Sequence, residues 1–107
     1  MAIVVESRGD AAVVRVVGPL AAGNRMEFRQ QVMDAVARGA NHIVVDLAQA
    51  GYVDSTGLGT LVLLAKRVRA QGGALRLENL NEDVRTLFAL TKLDSVLDLG
   101  PVTPTAV

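Results

Sequence analysis

The sequence predicts a small single-domain α/β fold, in the order ββαβαβα, with helices mainly on one face of a mixed or parallel β-sheet. Three observations predict it. Short apolar runs alternate with amphipathic helical segments, single helices separate the later strands, and charged residues interrupt some of the strands. Strands that alternate with single helices are joined by right-handed parallel crossovers. The charges indicate that part of one sheet face stays in contact with water.

The first half of the chain predicts two strands and a helix. Apolar runs at residues 3–5 and 12–17 are strand candidates, and the turn-like residues 8–10 separate them. Gly18 and Pro19 end the second strand. Asn24 is then a predicted N-cap, with Glu27 in the capping-box position. The helix that follows ends at Gly39, and its apolar residues share one face: Phe28, Val32, Ala35 and Val36.

The second half continues the alternation. The apolar run 43–45 predicts a central strand buried on both faces. A helix runs from near Ser55 to Gly72 and Gly73, and a half-buried strand follows it. Asn81 caps a third helix. The apolar positions behind the last two predictions are Leu75 and Leu77 in the strand and Val84, Leu87 and Phe88 in the helix.

The end of the chain predicts one more short strand at residues 96–99. The domain is therefore expected to span residues 1–100, with a flexible tail at residues 101–107.

Composition excludes several classes of protein. Eleven basic residues balance eleven acidic ones, and the three aromatic residues are too few for a base-stacking surface, so nucleic acid is not an expected partner. No cysteine is present, which excludes disulfides and thiolate metal sites and fits a reducing cytoplasm. No apolar stretch approaches the ~18 residues of a membrane span, and the first ten residues do not resemble a signal peptide. We expect a cytoplasmic protein that binds another protein.

The most informative segment is residues 51–59, where a buried strand ends and a helix begins. Free backbone N–H groups and the helix dipole favour negative charge at such a junction. A hydroxyl residue there can act as a helix cap, a nucleophile, a phosphate contact or a phosphorylation site.

Catalytic interpretations of this segment fail on the residues around it. A nucleophile elbow needs glycine two residues before Ser55, and Val53 occupies that position. The only histidine, His42, is expected at the opposite end of its strand. An aspartic-protease signature would need one residue fewer between Asp54 and Gly57. Clustered metal ligands are absent from the sequence, so neither metal, cofactor nor enzymatic activity is expected.

A dinucleotide fingerprint is only partial. Gly57 and Gly59 open a helix after a strand, but Val62 replaces the third glycine. A small nucleotide-binding regulator therefore remains an alternative function.

The chain resembles the STAS family, and most closely its single-domain anti-anti-sigma factors. The resemblance rests on residues 44–47 (Val-Val-Asp-Leu), residues 53–59 (Val-Asp-Ser-Thr-Gly-Leu-Gly), the leucine-rich helix and the glycine pair after it. It extends to residues 18–20 and to the third helix. In such proteins, the resemblance implies, the serine of the second string is phosphorylated by a kinase that is also the anti-sigma factor. That serine is Ser55 here, with Thr56 as second choice.

One position departs from the family pattern. An aspartate often follows Gly-x-Leu in the loop that faces the switch serine, and this chain has Ala21. The resemblance implies that this loop, which leads to Asn24, contributes to the contact with the kinase. Ala21 therefore puts the partner's identity and the phosphorylation of Ser55 in question, but not the fold.

The second helix carries apolar residues on every side. Leu58, Leu61, Ala65 and Val68 form its expected inner stripe, yet residues 61–65 are all apolar. We expect an outward strip, beside the switch, that serves as a docking surface: Ser55, Gly59, Val62 or Leu63, and Lys66. Asp54, Thr56 and Gly57 complete the expected partner site. The alternative is that neighbouring helices cover this strip. Gly57 and Gly59 also have an alternative interpretation, in which they serve a tight turn and a helix–sheet contact.

These expectations combine into one function with two alternatives. Unphosphorylated, the domain would bind an anti-sigma serine/threonine kinase of the histidine-kinase-like ATPase class and so release a sigma factor. The alternatives are an accessory STAS subunit of a membrane lipid transporter of the ABC type and the nucleotide-binding regulator. A weak homodimer remains open.

Overall fold

The structure, a computed structural model, describes residues 2–21 and 23–92. It contains seven elements: β1 (Ala2–Arg8), β2 (Ala11–Val17), α1 (Arg25–Ala37), β3 (His42–Asp46), α2 (Ser55–Ala70), β4 (Ala74–Glu78) and α3 (Glu82–Leu90). The order ββαβαβα is confirmed. The predicted strand at residues 96–99 and the predicted tail lie outside the described residues.

The four strands form one mixed sheet in the order β1-β2-β3-β4. A tight turn at Gly9, whose φ of +63° favours glycine, joins β1 to β2 in antiparallel pairing. The pairs β2–β3 and β3–β4 are parallel. Both parallel crossovers, from β2 to β3 and from β3 to β4, move in the same direction across the sheet. Because parallel crossovers share the same right-handed sense, α1 and α2 lie on the same face of the sheet.

The core lies between the sheet and this helical layer. Side chains of β2 alternate between half-buried and buried, as expected for a strand with one covered face. The largest fully buried side chains come from the strands, the three helices and the loops between them: Leu20, Phe28, Ile43, Leu47, Leu61, Leu64, Leu77 and Phe88. The helical faces predicted from the apolar spacing therefore supply much of the core.

The opposite sheet face carries charge, as the sequence predicts. Arg15 pairs with Glu6 at 3.2 Å and with Asp46 at 3.4 Å, and Arg76 pairs with Glu78 on β4. Within the described ranges no helix packs over these residues. The expectation that β3 is buried on both faces is therefore wrong: Ile43 and Val45 are buried, but Val44 is only half-buried because it points to the open face.

One predicted helix cap is confirmed and one is not. The Asn81 side chain accepts a hydrogen bond from the Val84 N–H at 2.8 Å and caps α3. Asn24 precedes α1 but makes no capping bond, so the predicted capping box with Glu27 is wrong. The Asn24 ψ of 2° lies outside the extended region that a side-chain cap adopts. Its amide turns back to the preceding loop instead.

Candidate functional site

The candidate site lies at the carboxyl edge of the parallel strands, where the loop between β2 and α1 meets the loop between β3 and α2. The loop after β2 is bonded to the loop after β3: the Gly18 N–H donates to the Gln49 carbonyl at 2.9 Å, and the Leu20 N–H donates to the Tyr52 carbonyl at 2.9 Å. A parallel bridge also pairs Leu20 with Val53. These backbone bonds fix the approach to α2, which begins two residues later.

Asp54 caps α2. Its backbone is extended, and its side chain accepts a hydrogen bond from the Gly57 N–H at 2.7 Å. Its own N–H donates to the Leu20 carbonyl at 3.1 Å, and its carbonyl accepts from the Leu58 N–H at 2.9 Å. Asp54 therefore provides both the side-chain cap and a backbone link between the two loops.

Ser55 is the first residue of α2, and its side chain is exposed. The hydrogen bonds of the described residues include none that uses the Ser55 hydroxyl. Since Asp54 already caps the helix, the interpretation of Ser55 as the cap is excluded. The hydroxyl stands at the positive end of a sixteen-residue helix, where added negative charge is favoured.

Thr56, the second choice for phosphorylation, is less accessible than Ser55. Its side chain is only half-exposed, and its carbonyl accepts a hydrogen bond from the hydroxyl of the buried Thr60 at 2.9 Å. The structure thus distinguishes two neighbouring hydroxyl residues that the sequence alone leaves close together.

The two glycines of the motif occupy different environments. Gly57 is buried, and a β-carbon at this position would overlap the carbonyl of Leu20 and lie 3.0 Å from the Leu20 Cγ. Gly59 is exposed, and a β-carbon there would meet no atom within 4 Å. Gly57 therefore permits close packing between α2 and the loop, whereas Gly59 leaves an open stretch of helix surface.

The outer side of α2 matches the predicted strip. Ser55, Gly59 and Lys66 are exposed, and Val62 is half-buried. Leu63 is 40 % exposed, which is unusual for a leucine in so apolar a helix. The predicted inner stripe, Leu58, Leu61, Ala65 and Val68, is buried, and Leu64, which the prediction left out of the stripe, is buried with it. Neighbouring helices therefore do not cover the outer strip among the described residues.

The loop before α1 is held next to this helix end. The Asn24 side chain accepts from the Ala21 N–H at 2.9 Å and donates to the Pro19 carbonyl. Ala21 and Asn24 are half-buried. Leu20, between them and β2, is the residue that contacts Gly57 and Asp54. Both predicted partner residues of this loop therefore belong to the same edge of the molecule as Ser55.

Two exposed apolar side chains at this edge are not among the site residues predicted from the sequence. Met26, in the first turn of α1, is 63 % exposed, and Tyr52, in the loop before α2, is 54 % exposed. The sequence feature that could have identified Tyr52 is an aromatic residue in a connecting loop directly beside the motif. Met26 gives no comparable signal, because methionine near a helix start is compatible with either core or surface.

The ionisable residues of the described part form no group of three that could hold a metal ion. His42 is exposed at the amino end of β3, where its imidazole lies 3.9 Å from Asp10. It is therefore at the end of the strand opposite Ser55, as predicted. Among the residues described, no helix has the length and apolar character needed to cross a membrane.

Comparison with known proteins defines the class of protein. The STAS domain model matches residues 2–106, and the chain belongs to the STAS domain family. Among curated proteins, it is 35 % identical over 87 residues to the anti-sigma-B factor antagonist of Bacillus subtilis strain 168, covering 81 % of this chain and 79 % of that one. Similarity to this antagonist confirms the expectation of a regulatory protein and not an enzyme.

Two solved structures share the fold at lower identity. The Bacillus cell fate determinant SpoIIAA in its phosphorylated form superposes with a TM-score of 0.72 at 22 % identity, covering 90 % of this chain and 88 % of SpoIIAA. The murine Solute Carrier 26 family member A9 anion transporter gives 0.72 at 19 % identity, covering 84 % of this chain but 15 % of the transporter. The fold therefore occurs in both kinds of protein, and the function must be argued from the site.

Proposed function

We propose that the chain is a cytoplasmic anti-sigma factor antagonist whose binding to an anti-sigma factor is switched by phosphorylation of Ser55. The observation that carries the proposal is the exposed Ser55 hydroxyl at the first position of α2, left free because Asp54 caps the helix. An exposed hydroxyl that makes no hydrogen bond to the described residues can accept a phosphate without breaking one.

The relatives support this assignment. The curated Bacillus relative is named an antagonist of anti-sigma-B factor, and it matches over most of both chains. SpoIIAA, which shares the fold, has been solved in a phosphorylated form. The partner proposed for this chain is accordingly an anti-sigma factor that is also a serine/threonine kinase, with the ATPase fold of histidine kinases. When the antagonist binds, this anti-sigma factor would release its sigma factor.

The outer strip of α2 supports a protein contact of defined chemistry. Its centre is the exposed Leu63, and Gly59 leaves room for a partner side chain next to it. The helix contains no acidic residue and three basic ones, Lys66, Arg67 and Arg69. An apolar site flanked by acidic groups on the partner would complement this surface.

Phosphorylation would act on the contact by charge and size. A phosphoserine carries about −1.5 to −2 charges at pH 7. On Ser55 this charge would lie against an acidic partner surface, where it would lose the water that stabilises it in the free protein. A loss of about 2.7 kcal/mol corresponds to a hundredfold change in affinity, which is enough for a switch.

Phosphate mapping tests the proposal. The wild-type chain, Ser55→Ala and Thr56→Val would be used to capture the kinase from the cytoplasm of the source cell, and each complex would then receive ATP. We expect all three to capture the same kinase, and mass spectrometry to find phosphate on Ser55 in the wild type and in Thr56→Val only. Phosphate on Thr56, or capture of a membrane transporter in place of a kinase, would overturn the proposal.

A further inference from the structure

The outer edge of β1 is a long and weakly protected sheet edge. β1 spans seven residues and pairs with β2 residue for residue, without a bulge. Its sequence, Ala-Ile-Val-Val-Glu-Ser-Arg, contains no proline, lysine or glycine. Proteins usually guard such edges with bulges, prolines or isolated charges, because unpaired backbone groups there pair readily with another strand. Among the described residues only β2 pairs with β1.

The charges on β1 do little to protect it. Glu6 pairs with Arg8 at 3.3 Å and with Arg15 of β2 at 3.2 Å, so its carboxylate is neutralised within the same sheet. The hydrogen bond and charge of Arg8 lower the pKa of Glu6. Both charged residues of β1 also lie in its carboxyl half. The amino half presents Ile3, Val4 and Val5, of which Val4 is 47 % exposed on the open sheet face.

We propose that β1 pairs with β1 of a second copy of this chain and that the two sheets form one continuous eight-stranded sheet. The strands would be antiparallel around a two-fold axis at Val4. In this register Val4 of one chain lies opposite Val4 of the other on the open sheet face. On the helical face, Ile3 of each chain lies opposite Val5 of the other.

Side-chain chemistry selects this register over its neighbours. An axis at Glu6 places two carboxylates opposite each other, which is unfavourable. An axis at Val5 places Val4 opposite Glu6. An axis at Ile3 pairs Ala2 with Val4 and so leaves only one pair in which both residues are β-branched. The axis at Val4 pairs β-branched residues at three successive positions and separates the carboxylates, so it is the most complementary of these registers.

The helical layer accommodates the arrangement. α1 packs over β1 and β2. The two copies of α1 would therefore lie about two strand spacings apart, or roughly 10 Å, an ordinary separation for packed helices. The contact does not rest on the proposed function, because α2, which carries Ser55, packs over β4 at the other side of the sheet.

The dimer is expected to be weak. A single pair of edge strands buries less than the roughly 800 Å² per partner of a standard interface, so we expect a dissociation constant on the order of 0.1 mM. Sedimentation equilibrium between about 10 µM and 1 mM would then show a reversible monomer–dimer equilibrium for the wild-type chain.

Three variants test the edge. Val4→Lys places two ammonium groups at the axis and should raise the dissociation constant at least about tenfold, whereas Val4→Thr, which keeps the branched shape, should change it by less than about threefold. Val44→Lys alters the middle of the open sheet face and should leave the dimer unchanged. Circular dichroism would verify that each variant is folded at the temperature used.

Three results would overturn the proposal. One is a wild-type chain that stays monomeric throughout the concentration range. The second is a Val4→Lys variant that dimerises like the wild type. The third is a Val44→Lys variant that weakens the dimer as much as Val4→Lys does, since this would indicate face-to-face packing of the sheets and not pairing of their edges.

Discussion

The α-carbon of Gly57 packs directly against the backbone carbonyl of Leu20, and this contact joins the start of α2 to the loop before α1. A side chain at Gly57 would overlap that carbonyl, which also accepts the Asp54 N–H. Any larger residue at position 57 would therefore separate the two segments that shape the site.

We predict that Gly57→Ala destabilises the domain by about 1–3 kcal/mol, because the added methyl group meets backbone and not a flexible side chain. Gly59→Ala is the matched control. It adds the same methyl group to the same helix in open space and should stabilise the domain by about 0.5–1 kcal/mol through helix propensity. Chemical unfolding of both variants measures the difference. Equal effects of the two substitutions would contradict the packing role of Gly57.

A second prediction concerns the cap of α2. Asp54→Ala removes the acceptor for the Gly57 N–H and should cost about 1 kcal/mol of stability, within the usual range of 0.5–2 kcal/mol. Asp54→Asn keeps an acceptor oxygen at the same place and should retain most of that stability. Thermal unfolding of the two variants, compared with the wild type, measures the stability that each has lost. If Ser55 were the cap instead, Ser55→Ala would show the loss and Asp54→Ala would not.

Much of this arrangement could be predicted from the sequence, because the periodic signals were strong. The order of the elements, the buried stripe of α2 and the Asn81 cap follow from apolar spacing and cap chemistry. The capping box at Asn24 could not be assessed in this way. Its residue types are correct, but the loop offers the Asn24 amide two backbone partners, at Pro19 and Ala21, and these compete with the helix end.

The environment of individual residues was less predictable than the elements. The apolar run 43–45 suits a strand covered on both faces, and only the three-dimensional arrangement shows that the helices cover one. Similarly, the sequence gives Gly57 and Gly59 the same two interpretations. Their difference depends on Leu20, which lies far away in the chain and reaches Gly57 through the bridge to Val53. Contacts of this kind are non-local and leave no local pattern.

A third prediction tests the outer strip of α2. Leu63→Asp should lower the stability by less than about 1 kcal/mol, because the side chain is already 40 % exposed, while it weakens capture of the anti-sigma factor. Leu61→Asp, two positions earlier in the buried stripe, should unfold the domain or destabilise it by more than about 3 kcal/mol. Calorimetry and the capture assay separate stability from binding. A Leu63→Asp variant that melts like Leu61→Asp would show that Leu63 belongs to the core.

A fourth prediction concerns acid unfolding. Burial acts to raise the pKa of Asp46, but hydrogen bonds from the Ala48 N–H and Asn79, together with the charge of Arg15, outweigh it and lower the pKa below its usual value. A carboxyl group whose pKa is lower in the folded state stabilises the fold above its unfolded pKa of about 4. That contribution is lost as the pH falls through the folded value.

Asp46→Asn should therefore be less stable than the wild type at pH 7, and its free energy of unfolding should fall less steeply below about pH 4. The asparagine oxygen can still accept the Ala48 N–H, so the difference reports mainly on the charge. Denaturant unfolding at a series of pH values measures both slopes. Parallel pH profiles for the two proteins would contradict a stabilising role of the ionised Asp46.

The last prediction is that the switch at Ser55 changes binding and not folding. Two opposing effects act on a negative group at this position. The amino end of α2 stabilises it by about 0.3–1 kcal/mol at an exposed site. The neighbouring Asp54 carboxylate, which is fixed as the cap, repels it by at most about 1 kcal/mol in contact with water. Ser55→Asp should accordingly change the free energy of unfolding by less than about 1 kcal/mol while it abolishes capture of the anti-sigma kinase. Ser55→Ala should unfold like the wild type, capture the kinase and accept no phosphate, because the hydroxyl is exposed and makes no hydrogen bond within the described part of the chain. Chemical unfolding of the three proteins, run beside the capture assay, tests both halves of the prediction. A Ser55→Asp variant that captures the kinase as well as the wild type, or one that loses binding only because it is unfolded, would contradict the mechanism proposed for this site.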